Sequence, residues 1–176
     1  MDREEQNRLI LAELARLYPD ARPALHFANP FELLVAVMLS AQCTDVKVNM
    51  VTPALFAAYP DAAALAKAEP AEIEPIIKTC GLFRTKARDL KACAMMLIAN
   101  YGGRVPDTME ELLKLPGVGR KTANLILGDI FGKPAIVCDT HCIRLSNRLG
   151  FVKNEKDPVK VENALRKLLD PAEASD

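Results

Sequence analysis

A run of apolar residues at helical spacing in the middle of the chain constrains the fold more than any other feature. From Phe83 to Tyr101 the apolar positions recur at alternating steps of four and three residues, which places them on one face of a single α-helix. Capping and breaking residues such as Asn29-Pro30 and Gly102-Gly103 separate this segment from others with similar spacing. The further helices predicted in this way cover residues 3–17, 31–42, 45–58, 70–78, 107–114, 121–131, 140–149 and 158–169. The sequence therefore predicts an all-α protein with short connections.

Two apolar segments have a different character. Residues 33–39 form the longest apolar run, which is far too short to span a bilayer. We expect this run in a buried helix of a soluble protein, with no membrane as a partner. Residues 135–138 are apolar and partly β-branched without helical spacing, and they lead to Asp139, which is placed to cap the helix after it. This connection is expected to be extended and buried.

The basic side chains are concentrated in the middle of the chain, although the whole chain is neutral. The 23 lysines and arginines balance 23 aspartates and glutamates, so the total charge predicts no polyanionic partner. By segment, the net charge is −5 over residues 1–76, +6 over residues 77–148 and −1 over residues 149–176. A local excess of this kind is typical of a surface that binds phosphates, although chance clustering on solvated helix faces explains it about as well.

The cysteines and the N-terminus indicate an intracellular protein. The chain begins with the polar run MDREEQNR, which has no signal-peptide pattern. Its five cysteines are therefore interpreted as reduced thiols, and we expect the protein in the cytoplasm.

A glycine-rich turn at residues 115–123, with the sequence LPGVGRKTA, is the strongest functional signal. Its two glycines, one residue apart, allow a tight turn between two helices and keep side chains away from a ligand. The backbone amides at the start of the helix near Lys121, together with the helix dipole, form an anion site suited to one DNA phosphate. The alternative is a glycine connection that only closes a corner between helices. The flanking Leu-Pro and Arg-Lys-Thr-Ala favour phosphate binding.

Four segments, in order along the chain, resemble the endonuclease III family, the helix-hairpin-helix DNA glycosylases and AP lyases of base excision repair. They read PFELLVAVMLSAQCTD at 30–45, KTCGLFRTKA at 78–87, LPGVGRKTA at 115–123 and VCDTH at 137–141. The resemblance extends over about residues 9–169. It implies a helix-hairpin-helix DNA glycosylase fold, in which a six-helix barrel, a helix-hairpin-helix and a second helical lobe place the active site in the cleft between barrel and lobe. The expected bounds are 22–133 for the barrel, about 107–131 for the helix-hairpin-helix, and 1–21 with 134–176 for the second lobe.

The resemblance implies a bifunctional enzyme that removes oxidised pyrimidines. Such an enzyme flips the damaged base out of the duplex, cuts its glycosidic bond and nicks the strand by β-elimination. Lys121 matches the family's nucleophile, which attacks the sugar C1′ and forms a Schiff base, and Asp139 matches the carboxylate that assists it. By itself, Lys121 would be a phosphate contact or a solvated lysine, and Asp139 only a helix cap. Glycosylases of this superfamily that act on mispaired adenine lack the lysine, so its presence favours the lyase-competent branch.

Further residues match the family's contacts with DNA. Gln42 aligns with the residue that fills the gap left by the flipped base, and Leu82 with a wedge that enters among the bases. The alternatives are a buried polar helix terminus and an ordinary turn leucine. His141 orients Asp139, touches DNA or is a structural histidine. The remaining candidates are Gly117, Val118, Gly119, Arg120 and Thr122 in the turn, and the basic residues Arg84, Lys86, Arg144 and Arg148, of which Arg84 and Lys86 lie off the apolar stripe and are expected to face solvent or a ligand.

The cysteines depart from the family's pattern. Most members end with four cysteines spaced C-x6-C-x2-C-x5-C that hold a [4Fe-4S] cluster, and this chain stops at Asp176 before any such array. We therefore expect no metal site among its own residues, and a cluster only where a four-cysteine tail follows. The alternatives to the enzyme are a non-catalytic or weakly active DNA-binding helix-hairpin-helix module and a monofunctional mismatch glycosylase. The expected partner is double-stranded DNA with damaged or abasic sites, bound by a monomer at the nucleoid.

Overall fold

The computed structural model of the chain describes residues 3–19 and 24–169, and within them it contains helices and no β-strand. The helices are α1 (Arg3–Leu17), α2 (Pro30–Ser40), α3 (Asp45–Ala58), α4 (Ala62–Lys67), α5 (Pro70–Ile77), α6 (Phe83–Tyr101), α7 (Met109–Leu112), α8 (Arg120–Asp129), α9 (Thr140–Arg148) and α10 (Pro158–Leu165). A short 3₁₀ turn, Lys78–Cys80, lies between α5 and α6. The prediction of an all-α protein is confirmed. None of these helices has both the length and the apolar character needed to cross a membrane.

The predicted helices differ most from the structure in two places, and the other bounds differ by at most two residues at either end. The sequence did not predict α4, because its six residues are too short to show an apolar stripe. The side chain of Asp61 caps this helix by accepting a hydrogen bond from the amide of Ala64 at 2.7 Å. The helix predicted over 158–169 ends at Leu165, and the chain continues through turns.

The chain forms two compact units, Pro23–Ile126 and Met1–Arg22 with Leu127–Asp176. In the first unit, α6 packs against α4 and α5, and α2 packs against α3 and α6. Every residue from Leu33 to Leu39 in α2 is at most 6% exposed, so this helix is enclosed on all sides. The prediction that the longest apolar run lies in a buried helix is confirmed.

The ends of α2 are fixed by polar groups. The side chain of Asn29 accepts a hydrogen bond from the amide of Glu32 at 2.9 Å, and Pro30 occupies the first helical position. At the other end the amide of Cys43 donates to the carbonyl of Ser40 at 3.0 Å and closes a turn. Within that turn the backbone of Gln42 is left-handed, with φ 53°. The buried helix therefore leads directly into a sharply turned, exposed loop.

The second unit has its own small core, formed by Ile136, Phe151, Val152, Val161 and Leu165. Residues 133–139 have neither helical nor strand structure. Ala135 and Ile136 are buried as predicted, whereas Val137 and Cys138 are only half-buried, so the predicted burial of the connection is confirmed in part. The loop after α9 is held by Asn147, whose amide nitrogen donates to the carbonyls of Ile143 and Glu155 at 2.8 and 2.7 Å. These contacts tie the loop to the helix before it.

Replacing Leu34 by alanine is expected to lower the free energy of unfolding by about 2–5 kcal/mol, because the side chain is fully buried in α2 and its loss leaves a cavity. The matched control is Leu113→Ala, since Leu113 is 43% exposed in the same unit and its loss is expected to cost less than about 0.5 kcal/mol. Urea unfolding followed by circular dichroism measures both. Equal effects of the two substitutions would contradict the enclosure of α2.

Candidate functional site

The glycine-rich turn joins α7 to α8 and is closed by its own backbone. The amide of Val118 donates to the carbonyl of Leu115 at 3.1 Å, and both side chains are buried. Gly117 has φ +75°, a backbone conformation that is strained for any residue with a side chain. A Cβ atom on this residue would lie 2.8 Å from Cε of Met38 and 3.1 Å from Cβ of Asp89. Glycine is therefore required here by both the backbone and the packing.

The start of α8 presents its amides as the sequence predicts. The amide of Ala123 donates to the carbonyl of Gly119 at 2.9 Å, which makes Gly119 the residue before the first helical turn. The amides of Lys121 and Thr122 belong to that first turn, where no helical carbonyl can accept from them. A Cβ on Gly119 would meet nothing within 4 Å, so the space in front of the turn is open. The positive end of the helix and this open surface suit an anion.

Val118 differs from the other residues of the turn. Its side chain is buried and its amide is used within the turn. Val118 therefore shapes the turn, and its side chain does not lie on the surface that a phosphate approaches.

The two residues matched to the family's chemistry both lie at the beginnings of helices. Lys121 is exposed in the first turn of α8. Asp139 is half-buried before α9, where its Oδ1 accepts a hydrogen bond from the amide of Cys142 at 2.8 Å. The predicted cap is confirmed. The carboxylate of Asp139 is thus fixed by the backbone of the helix that follows it.

Two exposed loops meet in the first unit, and each carries a left-handed residue that is not glycine. Gln42 has φ 53° and Leu82 has φ 46°, and Leu82 is 59% exposed. A cavity of about 440 Å³ lies between Gln42, Cys43, Thr44 and Lys47 on one side and residues 79–81 on the other. The structure therefore brings the loops of Gln42 and Leu82 together. Gln42 is exposed, so the alternative of a buried polar terminus is wrong.

Left-handed backbone at a glutamine or a leucine is uncommon and is found most often at functional sites. It costs about 1–2 kcal/mol per residue and persists only where the surroundings impose it. Because the side chain of Leu82 is exposed in the free protein, it gains little hydrophobic stabilisation to offset this strain. No residue near Gln42 indicates this conformation in the sequence, and at Leu82 only the preceding Gly81 marks a turn.

Lys86 does not face solvent, and this prediction was wrong. It is only 7% exposed, and its Nζ donates to the carbonyl of Leu39 at 2.8 Å and to that of Cys80 at 2.6 Å. The side chain lies off the apolar stripe of α6, but it turns back over the start of the helix and enters the protein. Burial lowers the pKa of the Lys86 ammonium, and the nearby thiols of Cys43 and Cys80 oppose that shift. An ammonium in this place contacts carbonyls, and it is not presented to a phosphate.

The other basic candidates are exposed. The side chain of Arg84 is 78% exposed, lies over the ring of Phe83 and has its Nε 3.9 Å from Oε2 of Glu74. Such a weak surface pair leaves the arginine available for another anion. Nη2 of Arg144 lies 3.2 Å from Nδ1 of His141, which places both side chains together on the exposed face of α9.

The remaining two basic candidates are Arg148 and Arg120. Arg148 lies in the last turn of α9 and is exposed, and Arg120 at the start of α8 is half-exposed. Both positions remain candidates for contact with a phosphate.

The cysteines in the described part of the chain do not fit a [4Fe-4S] cluster, which takes four thiolates. Cys43 and Cys80 line the cavity in one unit, whereas Cys138 and Cys142 belong to the other, with their sulfurs 3.9 Å apart. Burial raises the pKa of Cys93 and of Cys138 to about 12, so both are protonated at neutral pH. Among the described residues no group of three or more His, Cys, Asp or Glu side chains could hold a metal ion.

Comparisons with known proteins match most of the chain to one family. Residues 35–171 match the HhH-GPD superfamily base excision DNA repair protein family. The chain is 50% identical over 161 residues to endonuclease III from Synechocystis sp., which covers 91% of this chain and 73% of that protein. It is 42% identical over 164 residues to endonuclease III from Escherichia coli, covering 93% of this chain and 77% of that protein.

Solved structures of base excision repair proteins superpose on this chain. A structure described as a trapped endonuclease III–DNA covalent intermediate superposes with a TM-score of 0.94 and 46% identity, covering 99% of this chain and 82% of that one. A thermostable thymine-DNA glycosylase superposes with a TM-score of 0.85 and 26% identity, covering 97% of this chain and 81% of that one. The all-α glycosylase fold expected from the sequence is confirmed.

The two glycines of the turn are expected to respond differently to alanine. Gly117→Ala forces a side chain into a left-handed position against Asp89 and Met38, so we expect a loss of about 1–3 kcal/mol in stability. Gly119→Ala adds a methyl group to open space and is expected to cost less than about 1 kcal/mol. Thermal unfolding of the two variants measures the difference. An equal loss for both would show that the turn is not closed as described.

Proposed function

Because the chain belongs to the endonuclease III family of the HhH-GPD base excision DNA repair superfamily, we propose that it is a DNA N-glycosylase and AP lyase that removes oxidised pyrimidines. The observation that carries this proposal is the exposed Lys121 in the first turn of α8, directly after the glycine turn. A lysine in this position joins a phosphate-binding turn to an amine that can react with a sugar. The substrate is double-stranded DNA with damaged or abasic sites, bound by a monomer in the cytoplasm.

The glycine turn holds the DNA backbone. The amides of the first turn of α8 and its positive end bind one phosphate without reading the base sequence. Arg84 and Arg144 are exposed and available for neighbouring phosphates. Since these contacts are few, the affinity for duplex should fall only moderately with salt.

Lys121 performs the chemistry as a neutral amine. Its Nζ attacks C1′ of the damaged nucleotide, the C1′–N bond breaks, and the base leaves with the electron pair of that bond and takes up a proton. Loss of a proton from Nζ and opening of the sugar ring give a Schiff base between Lys121 and C1′. Removal of a proton from C2′ then expels the 3′ phosphate by β-elimination, and water hydrolyses the Schiff base to free the lysine.

Asp139 supplies negative charge to this reaction. As C1′ loses its base, positive charge develops on the sugar, and a fixed carboxylate stabilises that charge more than it stabilises the ground state. The hydrogen bond from the amide of Cys142 to Oδ1 holds the carboxylate in place before any substrate binds. Asp139 therefore acts without a costly rearrangement.

Gln42 and Leu82 act on the duplex and not on the sugar. Extruding a base leaves a gap in the stack and costs a few kcal/mol. The exposed side chain of Leu82 offsets part of this cost by entering among the bases, and Gln42 fills the gap with a polar group. Their adjacent loops present both side chains to the same stretch of duplex.

Lys121→Gln is expected to abolish the covalent adduct that borohydride traps between the protein and abasic duplex DNA, because glutamine cannot form a Schiff base. The matched control is Lys114→Gln, since Lys114 is an exposed lysine just before the turn, paired with Glu111. That variant should trap as the natural chain does. Gel electrophoresis of the labelled strand after reduction measures the adduct.

Other outcomes of this experiment have definite meanings. If the natural chain gives no adduct at any excess of protein but binds duplex, it is a DNA-binding module. If it releases a base and never nicks the strand, it is a monofunctional glycosylase. Either result overturns the proposed lyase.

Asp139→Asn is expected to lower the rate of the chemical step by about 10²–10³ while leaving the protein folded. Asparagine caps a helix about as well as aspartate, so the bond from Cys142 is kept and only the charge is lost. Asp139→Ala loses both and should also destabilise the protein by about 1 kcal/mol. Single-turnover kinetics and thermal unfolding separate the two roles. Full activity of Asp139→Asn would reduce Asp139 to a helix cap.

A further inference from the structure

Lys86 connects the two loops that carry Gln42 and Leu82. Its Nζ donates to the carbonyl of Leu39, in the last turn of α2 just before the first loop, at 2.8 Å. The same Nζ donates to the carbonyl of Cys80, just before the second loop, at 2.6 Å. These two carbonyls lie 41 residues apart in the sequence, and the one ammonium between them is buried.

The backbone of Lys86 strengthens the connection. Its amide donates to the carbonyl of Leu82 at 3.0 Å, which makes Leu82 the residue before α6. One residue therefore holds the carbonyl of Leu82 through its amide and the carbonyl before Gly81 through its side chain. Lys86 thus bonds to the carbonyl of Leu82 itself, whose backbone is left-handed, and to the carbonyl of Cys80 two residues earlier.

The charge of Lys86 suits this place. The carbonyls at the end of a helix lack intrahelical donors and carry the negative end of the dipole. The ammonium donates to a carbonyl in the last turn of α2 and to the carbonyl at the end of the 3₁₀ turn. A hydrogen bond from a charged donor is about twice as strong as a neutral one.

The loops themselves are close to each other at this point. A Cβ built on Gly81 would lie 3.9 Å from the carbonyl oxygen of Gln42. The loops thus approach each other at Gly81 and Gln42, and Lys86 bonds to the carbonyls that precede both loops.

We propose that Lys86 is a positioning residue, which fixes the loops of Gln42 and Leu82 to each other so that both side chains enter a damaged duplex together. This inference rests on the proposed function, since it assigns Lys86 a part in opening the duplex. It assigns Lys86 no contact with DNA and no part in the chemistry at Lys121. Undamaged duplex, in which no base is extruded, does not need the paired loops.

The experiment compares two affinities of the full chain. One is for a duplex with a tetrahydrofuran residue, an abasic analogue that cannot react, and the other is for an undamaged duplex of the same sequence. The variants are Lys86→Met, which keeps the alkyl chain and loses the ammonium, and Leu82→Ala, together with the double variant. Lys91→Met is the matched control, because Lys91 is also a partly buried lysine of α6 but pairs with Glu69, away from both loops.

The expected result is a loss of preference for the damaged duplex. Lys86→Met should reduce the ratio of the two affinities by about tenfold, as Leu82→Ala does, and the double variant should be no worse than about threefold below the worse single variant. Lys91→Met should leave the ratio within about twofold of the natural chain. A general loss of folded protein lowers both affinities equally and does not change the ratio.

Three results would overturn the proposal. The first is an unchanged ratio in Lys86→Met, and the second is a double variant whose loss is the product of the two single losses. The third is a failure to fold of both Lys86→Met and Lys86→Gln, which would make Lys86 a residue of the core alone. Because the tetrahydrofuran duplex binds without reaction, these results do not depend on the lyase, whose own failure appears as the missing borohydride adduct.

Discussion

The buried C-terminal end of α2 is the constraint on which the rest of the first unit depends. The last carbonyls of a helix lack intrahelical donors, and a buried one needs a donor from elsewhere in the protein. Lys86 supplies a donor to Leu39, and the side chain of Met38, one residue earlier, lies beside Gly117 of the glycine-rich turn. Ser40 then leads into the loop of Gln42. Three successive residues of one buried helix thus contact or adjoin three parts of the proposed DNA-binding surface.

In the proposed function, the parts of the site have different tasks. The glycine turn offers backbone groups, which suit a phosphate and are independent of the base. The two loops offer side chains, whose proposed place of action is where a base is extruded. Lys121 adds an amine to the first turn of the helix that follows the glycine turn. A thymine-DNA glycosylase shares this fold, so the fold alone does not decide the reaction, and we propose that the amine of Lys121 does.

Much of this could be predicted from the sequence, because helical spacing and glycine turns are local properties. The stripe of α6, the buried run of α2 and the cap at Asp139 each depend on residues close together in the chain. The place of Lys86 could not be predicted, since spacing along one helix does not show carbonyls from a helix 47 residues away. Nor could α4, which is too short for periodicity and is fixed by its packing on α6.

Left-handed residues other than glycine lie in exposed turns of this protein, and at Gln42 and Leu82 that backbone is strained. Asn154 is left-handed too, but asparagine tolerates that conformation well and needs no further explanation. Gln42 and Leu82 do not, and glycine at either position would relieve the strain. Glycine would also remove the side chain, so the strain is the cost of placing a side chain at the tip of a tight loop. The buried ammonium of Lys86 bonds to the carbonyls that precede both loops, which is why we propose that it acts on the opening of the duplex without contacting it.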